Sequence, residues 1–267
     1  MSDASIRELI VMEAHRSYGD NGYGIVKGVL PHDHINLLLA EADRLHTLGS
    51  AFSRSTEDGP VKWLVVCQPS STPILRGLQN GYRISPVLEA LRTAAPLYNI
   101  LEPLIGPDID SVVNTLFWKP PGAEATAIAY HQDSMFRKPV ARFRNLANSY
   151  IQVGLALDPH GPSNGGMRVV AGSHRTGDLQ IESKTSVMLD SPASMDLAAH
   201  GLADLEERDI QLDPGDVVFW HPHLLHGSPA NRSDKLNRRF FVTGYMRSTD
   251  CDAGDPAFRN GRACAFA

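Results

Sequence analysis

Apolar residues in the first hundred positions recur at helical spacing. Ile35, Leu38, Leu39, Ala42 and Leu45 share one face of a helix that opens after Pro31, a residue suited to a first helical turn. Val87, Leu88, Leu91, Ala94 and Ala95 make a second stripe, ended or kinked by Pro96. A third short helix is expected to run to Leu104, before the Gly106-Pro107 turn. Ahead of the first stripe, Tyr23-Gly-Ile-Val-Lys-Gly-Val reads as a short strand. Beyond Gly106 the period changes. Short β-rich runs predict strands over 112–119, 127–133, 150–157, 167–171, 216–220 and 239–246, with Gly/Pro turns such as Pro120-Pro121-Gly122 and Pro214-Gly215-Asp216 between them. Such spacing suits a sandwich or barrel, and no strand-then-long-helix alternation supports a parallel α/β sheet. With no repeat or linker, the expectation is one mostly β domain over 1–267, helical up to about residue 105 and a β core over about 106–247.

Composition narrows the function classes. Of 267 residues, 42% are hydrophobic, as in an ordinary globular protein. A net charge of -5, from 25 basic and 30 acidic residues, gives no electrostatic case for nucleic acid as a partner. No apolar run nears the ~20 residues of a membrane helix, and the opening residues lack the basic-then-apolar pattern of a secretory signal. Cys67, Cys251 and Cys264 are odd in number and form no CxxC pair. They read as reduced thiols of a cytoplasmic protein, with no membrane partner expected.

The chemistry concentrates at Tyr130-His131-Gln132-Asp133. On a strand, residues two apart project from one face, so His131 and Asp133 can reach one ion. Two histidines and one carboxylate suit Fe(II), with positions left for a bidentate oxo-acid and O2. The second histidine must come from Trp220-His-Pro-His-Leu-Leu-His-Gly-Ser228. His221 and His223 flank Pro222, which breaks strand pairing; they read as turn histidines, and His226 is the favoured ligand. An oxo-acid co-substrate also needs a cation for its far carboxylate, where a guanidinium fork fits. Arg238 and Arg239 open the apolar run Phe240-Phe241-Val242, and alternation lets only one of them face inward.

Taken together, these residues resemble the phytanoyl-CoA dioxygenase family of iron(II)/2-oxoglutarate oxygenases. The similarity runs through Leu116-Phe-Trp-Lys-Pro-Pro-Gly122, His131-Gln-Asp133, Gly154-Leu-Ala-Leu-Asp158 with Asn164-Gly-Gly166, Arg168-Val-Val-Ala-Gly-Ser-His174, Pro214-Gly-Asp-Val-Val-Phe219 and His226-Gly-Ser-Pro-Ala-Asn-Arg-Ser233. It implies a double-stranded β-helix, the cupin-like jelly roll. It implies iron on His131, Asp133 and His226, and the distal carboxylate of 2-oxoglutarate on an arginine after His226. Ser228 matches a family position near that carboxylate, and Gln152 and Asn114 match positions that contact the co-substrate. The loop 234–237 is one residue longer than the family spacing, so both arginines stay in view, with Arg238 favoured. Asn164 and the stretch 172–174 read as turn architecture, with Gly172 supplying a special backbone geometry.

The implied reaction hydroxylates an unactivated C–H bond of a small molecule, using O2 and turning 2-oxoglutarate into succinate and CO2. Asp133 stands where halogenating relatives carry a small residue, so halogenation is not expected. Phe136-Arg-Lys-Pro-Val-Ala-Arg-Phe-Arg144 holds four cations and no acid, which suggests a lid attracting an anionic substrate. Trp63 reads as pocket wall or core. Two rivals come from other classes: a non-enzymatic jelly-roll sensor of metal or metabolite, and a cupin-type metal-dependent isomerase in which His221 or His223 would join the ligands.

Overall fold

The computed structural model of the chain describes residues 3–67, 72–181 and 195–266. Helix α1 (Asp3–Asn21) leads into strand β1 (Tyr23–Val26) and helix α2 (His32–Gly49). Strands β2 (Thr56–Asp58), β3 (Val61–Cys67) and β4 (Pro73–Gln79) form a meander. Helices α3 (Pro86–Arg92) and α4 (Ala95–Ile105) follow. The remaining strands are β5 (Ile109–Lys119), β6 (Ile128–His131), β7 (Tyr150–Ala156), β8 (Arg168–Val170), β9 (Glu207–Asp209), β10 (Val217–Trp220), β11 (His226–Ser228), β12 (Arg238–Arg247), β13 (Asp255–Arg259) and β14 (Arg262–Ala263).

These strands make two antiparallel sheets. The larger has ten strands and runs β1-β10-β7-β12-β5-β4-β3-β2, with β13 and β14 branching from β5. The smaller runs β6-β11-β8-β9. This is the mostly β jelly-roll core expected from the sequence, flanked by N-terminal helices. The helical third, however, also gives β1 to β4 to the large sheet, and the run around Val61 extends that sheet.

Alternation on the central strands builds two cores from one sheet. On β10, Val217 and Phe219 face the helices and pack with Ile35, Leu38, Leu45, Leu97 and Leu101. Val218 and Trp220 face the opposite way, into the barrel, with Val169, Ile210 and Phe240. Each large aliphatic side chain buried this way contributes roughly 1.5–3 kcal/mol. A strand covered on both faces reads as a continuous apolar run, which explains Tyr150–Ala156. Pro86 sits at the first turn of α3, where Ser85 caps the helix by accepting from the Leu88 amide at 3.2 Å. Trp63 belongs to the helix-side core and stacks on Phe52.

Candidate active site

β6 and β11 are neighbours in the small sheet, and their register sets His226 directly across from His131. Asp133 lies just past β6, in a 3-10 turn over Asp133–Phe136. The predicted strand 127–133 therefore ends two residues early, because the Ser134 amide bonds to the Pro222 carbonyl (3.1 Å) and turns the chain. The three side chains still converge: one ligand atom from each of His131, Asp133 and His226 lies within 4.8 Å of the others. All three residues are buried.

The chemistry of this set fits a divalent iron. His131 Nδ1 donates to the Ala129 carbonyl (2.8 Å) and His226 Nδ1 to the Leu224 carbonyl (2.9 Å), which leaves each Nε2 lone pair facing the site. Burial, with His226 alongside, pushes the His131 imidazole down to about 4, so it is neutral and able to ligate at neutral pH. Trp220 Nε1 donates to Asp133 Oδ2 (2.8 Å) and fixes the carboxylate plane. Gln132 points the other way and ties the 3-10 turn to later loops. Its Nε2 donates to the carbonyls of His223 (2.6 Å) and Gly177 (2.9 Å), and its Oε1 accepts from the Leu179 amide. His221 and His223 do not join the set. Their rings meet edge to face with centroids 5.3 Å apart, and His221 lies against His174.

These three side chains open onto a cavity of about 990 Å3 inside the barrel. Alternation on β12 sends Arg238, Phe240 and Val242 into it. Arg239 points out and makes a bidentate pair with Asp158 (2.8 Å from both Nε and Nη2), with Asp43 of α2 on its third nitrogen at 2.6 Å. Arg238 is opposite Lys119 of β5, and both face inward. Lys119 Nζ donates to Ser228 Oγ (2.6 Å) and to the carbonyls of Pro229 (2.6 Å) and Gly165 (3.2 Å). Arg238 Nη2 reaches the same Ser228 Oγ at 3.4 Å, and its Nε donates to Gly165. Burial lowers Arg238 to about 9 and Arg76, on β4, to about 10; burial, with Arg238 and Arg76 nearby, holds Lys119 well below its ordinary value. Three basic groups crowded together out of water are costly without an anion between them. His160 completes this end. Its Nε2 accepts from the Met167 amide (2.7 Å), so Nδ1 carries the proton, and that atom is buried without a partner among the described residues.

Asn231 shapes the long loop before Arg238, with Nδ2 donating to the carbonyls of Lys119 (2.8 Å) and Leu236 (2.6 Å). Asn164 braces the turn beside it through the carbonyls of Pro159 and Asn237. Gly172 has φ +83°, as its turn role requires, and Ser173 Oγ accepts from the Leu225 amide next to His226.

Gln152 lines the cavity from β7. Its Oε1 accepts from the Tyr150 hydroxyl and, at 3.4 Å, from Arg137 Nη2. Asn114 departs from expectation. It lies on the face of β5 away from Val113, Thr115 and Phe117, which line the cavity, and its Nδ2 donates to Thr243 Oγ1 (2.9 Å). Strand alternation removes it from co-substrate contact. The basic lid also divides. Arg142 bonds to the Asp252 carbonyl and Arg144 to the Asp252 carboxylate on the outer surface, whereas Arg137 turns into the cavity.

Sequence reasoning missed Lys119, Arg76, His160 and Trp220 as site residues, and took Arg137 only as one of four cations of the basic stretch. Lys119 carried a signal, since it ends an apolar strand run where a lone cation needs an anion. Trp220 had one too, as the last residue of the strand before the histidine cluster.

Solved structures of similar fold include the epimerase SnoN in complex with Fe3+, alpha ketoglutarate and nogalamycin RO, with a TM-score of 0.66 and 21% identity over 97% of this chain and 88% of that one. EctD from S. alaskensis with 2-oxoglutarate and 5-hydroxyectoine gives a TM-score of 0.69 and 20% identity, covering 93% of this chain and 86% of that one. Among curated proteins, a probable alpha-ketoglutarate-dependent hypophosphite dioxygenase of Stutzerimonas stutzeri is 23% identical over 239 residues, 87% of this chain and 77% of that protein. The peroxisomal phytanoyl-CoA dioxygenase of Rattus norvegicus is 24% identical over 258 residues, 91% of this chain and 70% of that protein. Residues 18–240 match the phytanoyl-CoA dioxygenase (PhyH) family model, and the chain belongs to that family.

Proposed function

We propose that this 2-oxoglutarate-dependent iron dioxygenase holds Fe(II) on His131, Asp133 and His226 and hydroxylates an unactivated C–H bond of a small molecule. The overall change would be R–H plus 2-oxoglutarate and O2 to R–OH, succinate and CO2. The observation that carries the reading is the convergence of two imidazole Nε2 atoms and a carboxylate at one side of a cavity whose far end is lined by buried cations. Bound iron(II) supplies the activation of O2 coupled to decarboxylation of the co-substrate. The protein's own groups do the rest. The carbonyls of Ala129 and Leu224 hold both imidazoles in the ligating tautomer, and Trp220 orients Asp133. Arg238, with Lys119 and Ser228, receives the distal carboxylate. Gln152 commits its Oε1 to Tyr150 and Arg137, which leaves its Nε2 donors for the co-substrate. The apolar walls Phe117, Phe240 and Val242 exclude water from the reacting C–H bond.

Helical part and barrel work as one domain in this reading. A cytoplasmic setting suits the three free thiols, and no helix among the described residues is long and apolar enough to cross a membrane.

The test is anaerobic addition of Fe(II) and then 2-oxoglutarate to the apoprotein, watched for the visible charge-transfer band of a chelated oxo-acid. Ala at His131, Asp133 or His226 should abolish the band and substrate-linked succinate formation in a protein that stays folded. His221→Ala and His223→Ala should keep both. A wild-type protein that binds the metal yet shows no band would favour a sensor or an isomerase.

A further inference from the structure

Asp133 is the only carboxylate lining the cavity among the described residues, against four cations, Lys62, Arg76, Arg137 and Arg238. On the reading above, a divalent ion, Asp133, the dianion 2-oxoglutarate and Arg238 form a neutral set. Lys62 has Glu57 at 3.4 Å, and Arg76 groups with Arg238 and Lys119 at the far end of the cavity, where the co-substrate carboxylate is placed. Arg137 is left beside the metal ligands with its charge unmatched.

Arg137 is a built feature of the cavity. It ends the 3-10 turn that begins at Asp133, and it is only 7% exposed. Its guanidinium lies over the Tyr150 ring at 4.7 Å, a cation–π contact. Nη2 donates to the Tyr150 hydroxyl and to Gln152 Oε1. Both acceptors are neutral. Nε is buried with no hydrogen-bond partner among the described residues. Tyr150 reaches this position because β12 has Gly244 there; a Cβ at Gly244 would fall 2.1 Å from the Tyr150 hydroxyl oxygen. The sheet therefore makes room for a phenol whose ring and hydroxyl orient a cation with no salt bridge among the described residues; Asp133, whose charge acts on it, is already counted against the metal. A buried guanidinium without an anion bears a desolvation cost that a ligand oxyanion removes.

We infer that Arg137 binds an oxyanionic group of the prime substrate, a carboxylate or a phosphonate, and so selects anionic small molecules for oxidation beside the metal. The inference rests on the iron/2-oxoglutarate reading of the site, and it assigns the selection to one inward residue, not to the outer cations Arg142 and Arg144. Tyr150 and Gln152 are positioning residues that act through Arg137.

The experiment is anaerobic calorimetry on protein loaded with Fe(II) and saturating 2-oxoglutarate, which keeps probes away from Arg238. The probes are butyrate and propylphosphonate, each paired with a neutral counterpart, butyramide and dimethyl propylphosphonate. Wild type is expected to bind at least one anion ten times or more tightly than its neutral counterpart. The tighter anion identifies the group as carboxylate or phosphonate. Arg137→Gln should lose that preference, Arg137→Lys should keep part of it, and Arg144→Gln should leave it unchanged. Equal binding of anion and neutral probe by wild type, or no anion binding at millimolar concentration, overturns the proposal without needing a variant. Undiminished anion binding in Arg137→Gln overturns it as well. So does a loss confined to 2-oxoglutarate affinity, which would make Arg137 a co-substrate residue. The charge-transfer band separates the two readings. Its absence from wild type removes the oxygenase assignment, while the loss or survival of anion preference in Arg137→Gln still decides Arg137.

Discussion

Two adjacent arginines with opposite surroundings show how one strand residue differs from the next. Arg239 sits between Asp158 and Asp43 at the edge of the barrel, and its partners raise its pKa. Arg238 is buried beside Lys119 and is pushed down to about 9 by burial. A charge-assisted hydrogen bond is worth about 1.5–3 kcal/mol, or roughly ten- to over a hundredfold in affinity. Arg238→Ala should weaken 2-oxoglutarate binding by about that factor while the iron site still fills. Arg239→Ala should lower stability by breaking the pairs to β12's neighbours and leave co-substrate affinity within a few-fold of wild type. Titration of the anaerobic iron complex with 2-oxoglutarate reads both, and a large loss confined to Arg239→Ala would reverse the assignment. The sequence alone could narrow this pair to one inward residue by alternation. The choice of face depended on the loop 231–236, whose shape comes from Asn231 bonding across to Lys119, a contact 112 residues apart in sequence.

Elements were legible in proportion to how local their causes are. Helix α2 announces itself by periodicity and the strands β5, β7 and β12 by runs rich in apolar and β-branched residues, and they appear within a few residues of expectation. Helix α1 does not, because Leu9, Ile10 and Met12 lie exposed and only Ala14 among its described side chains is buried. The β2–β4 meander was hidden for another reason: its strands matter as an extension of a sheet whose central strands, β5, β7 and β12, all come later in the chain. The three candidate metal ligands were legible as a set because two come from one short motif, whereas the inward placement of Lys119, His160 and Arg137 is set by strand facing and by a turn, which no spacing reveals. Gly244 belongs to this level too. It sits in β12 across from Gln152 of β7, and Tyr150 occupies the space a side chain would need. Gly244→Ala should displace Tyr150 at an overpacking cost of about 1–3 kcal/mol. It should also weaken anion binding at Arg137 more than 2-oxoglutarate binding at Arg238. Chemical denaturation with the two titrations checks this; an unchanged midpoint and unchanged anion affinity would mean the ring has room to move.

At the scale of the whole molecule, the barrel hides imidazoles that an unfolded chain would expose, and this couples stability to pH. Burial, with Arg238 and Lys119 nearby, holds His160 well below the ordinary histidine value, and burial with its neighbouring histidines brings His221 to about 4. In the unfolded chain both titrate near about 6.5. Between those values the unfolded state takes up protons that the folded state refuses, so folding weakens as pH falls. Their contribution is fully present above about pH 6.5 and is lost progressively toward the folded-state values, at up to about 1.4 kcal/mol per pH unit for each group. Urea midpoints at pH 7.5, 6.0 and 5.0 should therefore decline. His160→Gln keeps an acceptor for the Met167 amide, which His160 Nε2 now meets at 2.7 Å, and cannot be protonated. His221→Asn does the same for the His223 amide, which His221 Nδ1 accepts at 3.1 Å. Each variant should flatten the decline between pH 6.5 and 5, and the two together should flatten it further, because the rings belong to separate clusters, one at the basic end of the cavity and one against His174 and Tyr18. The same acid sensitivity in the double variant as in wild type would locate its cause in other groups and remove these two histidines from the account.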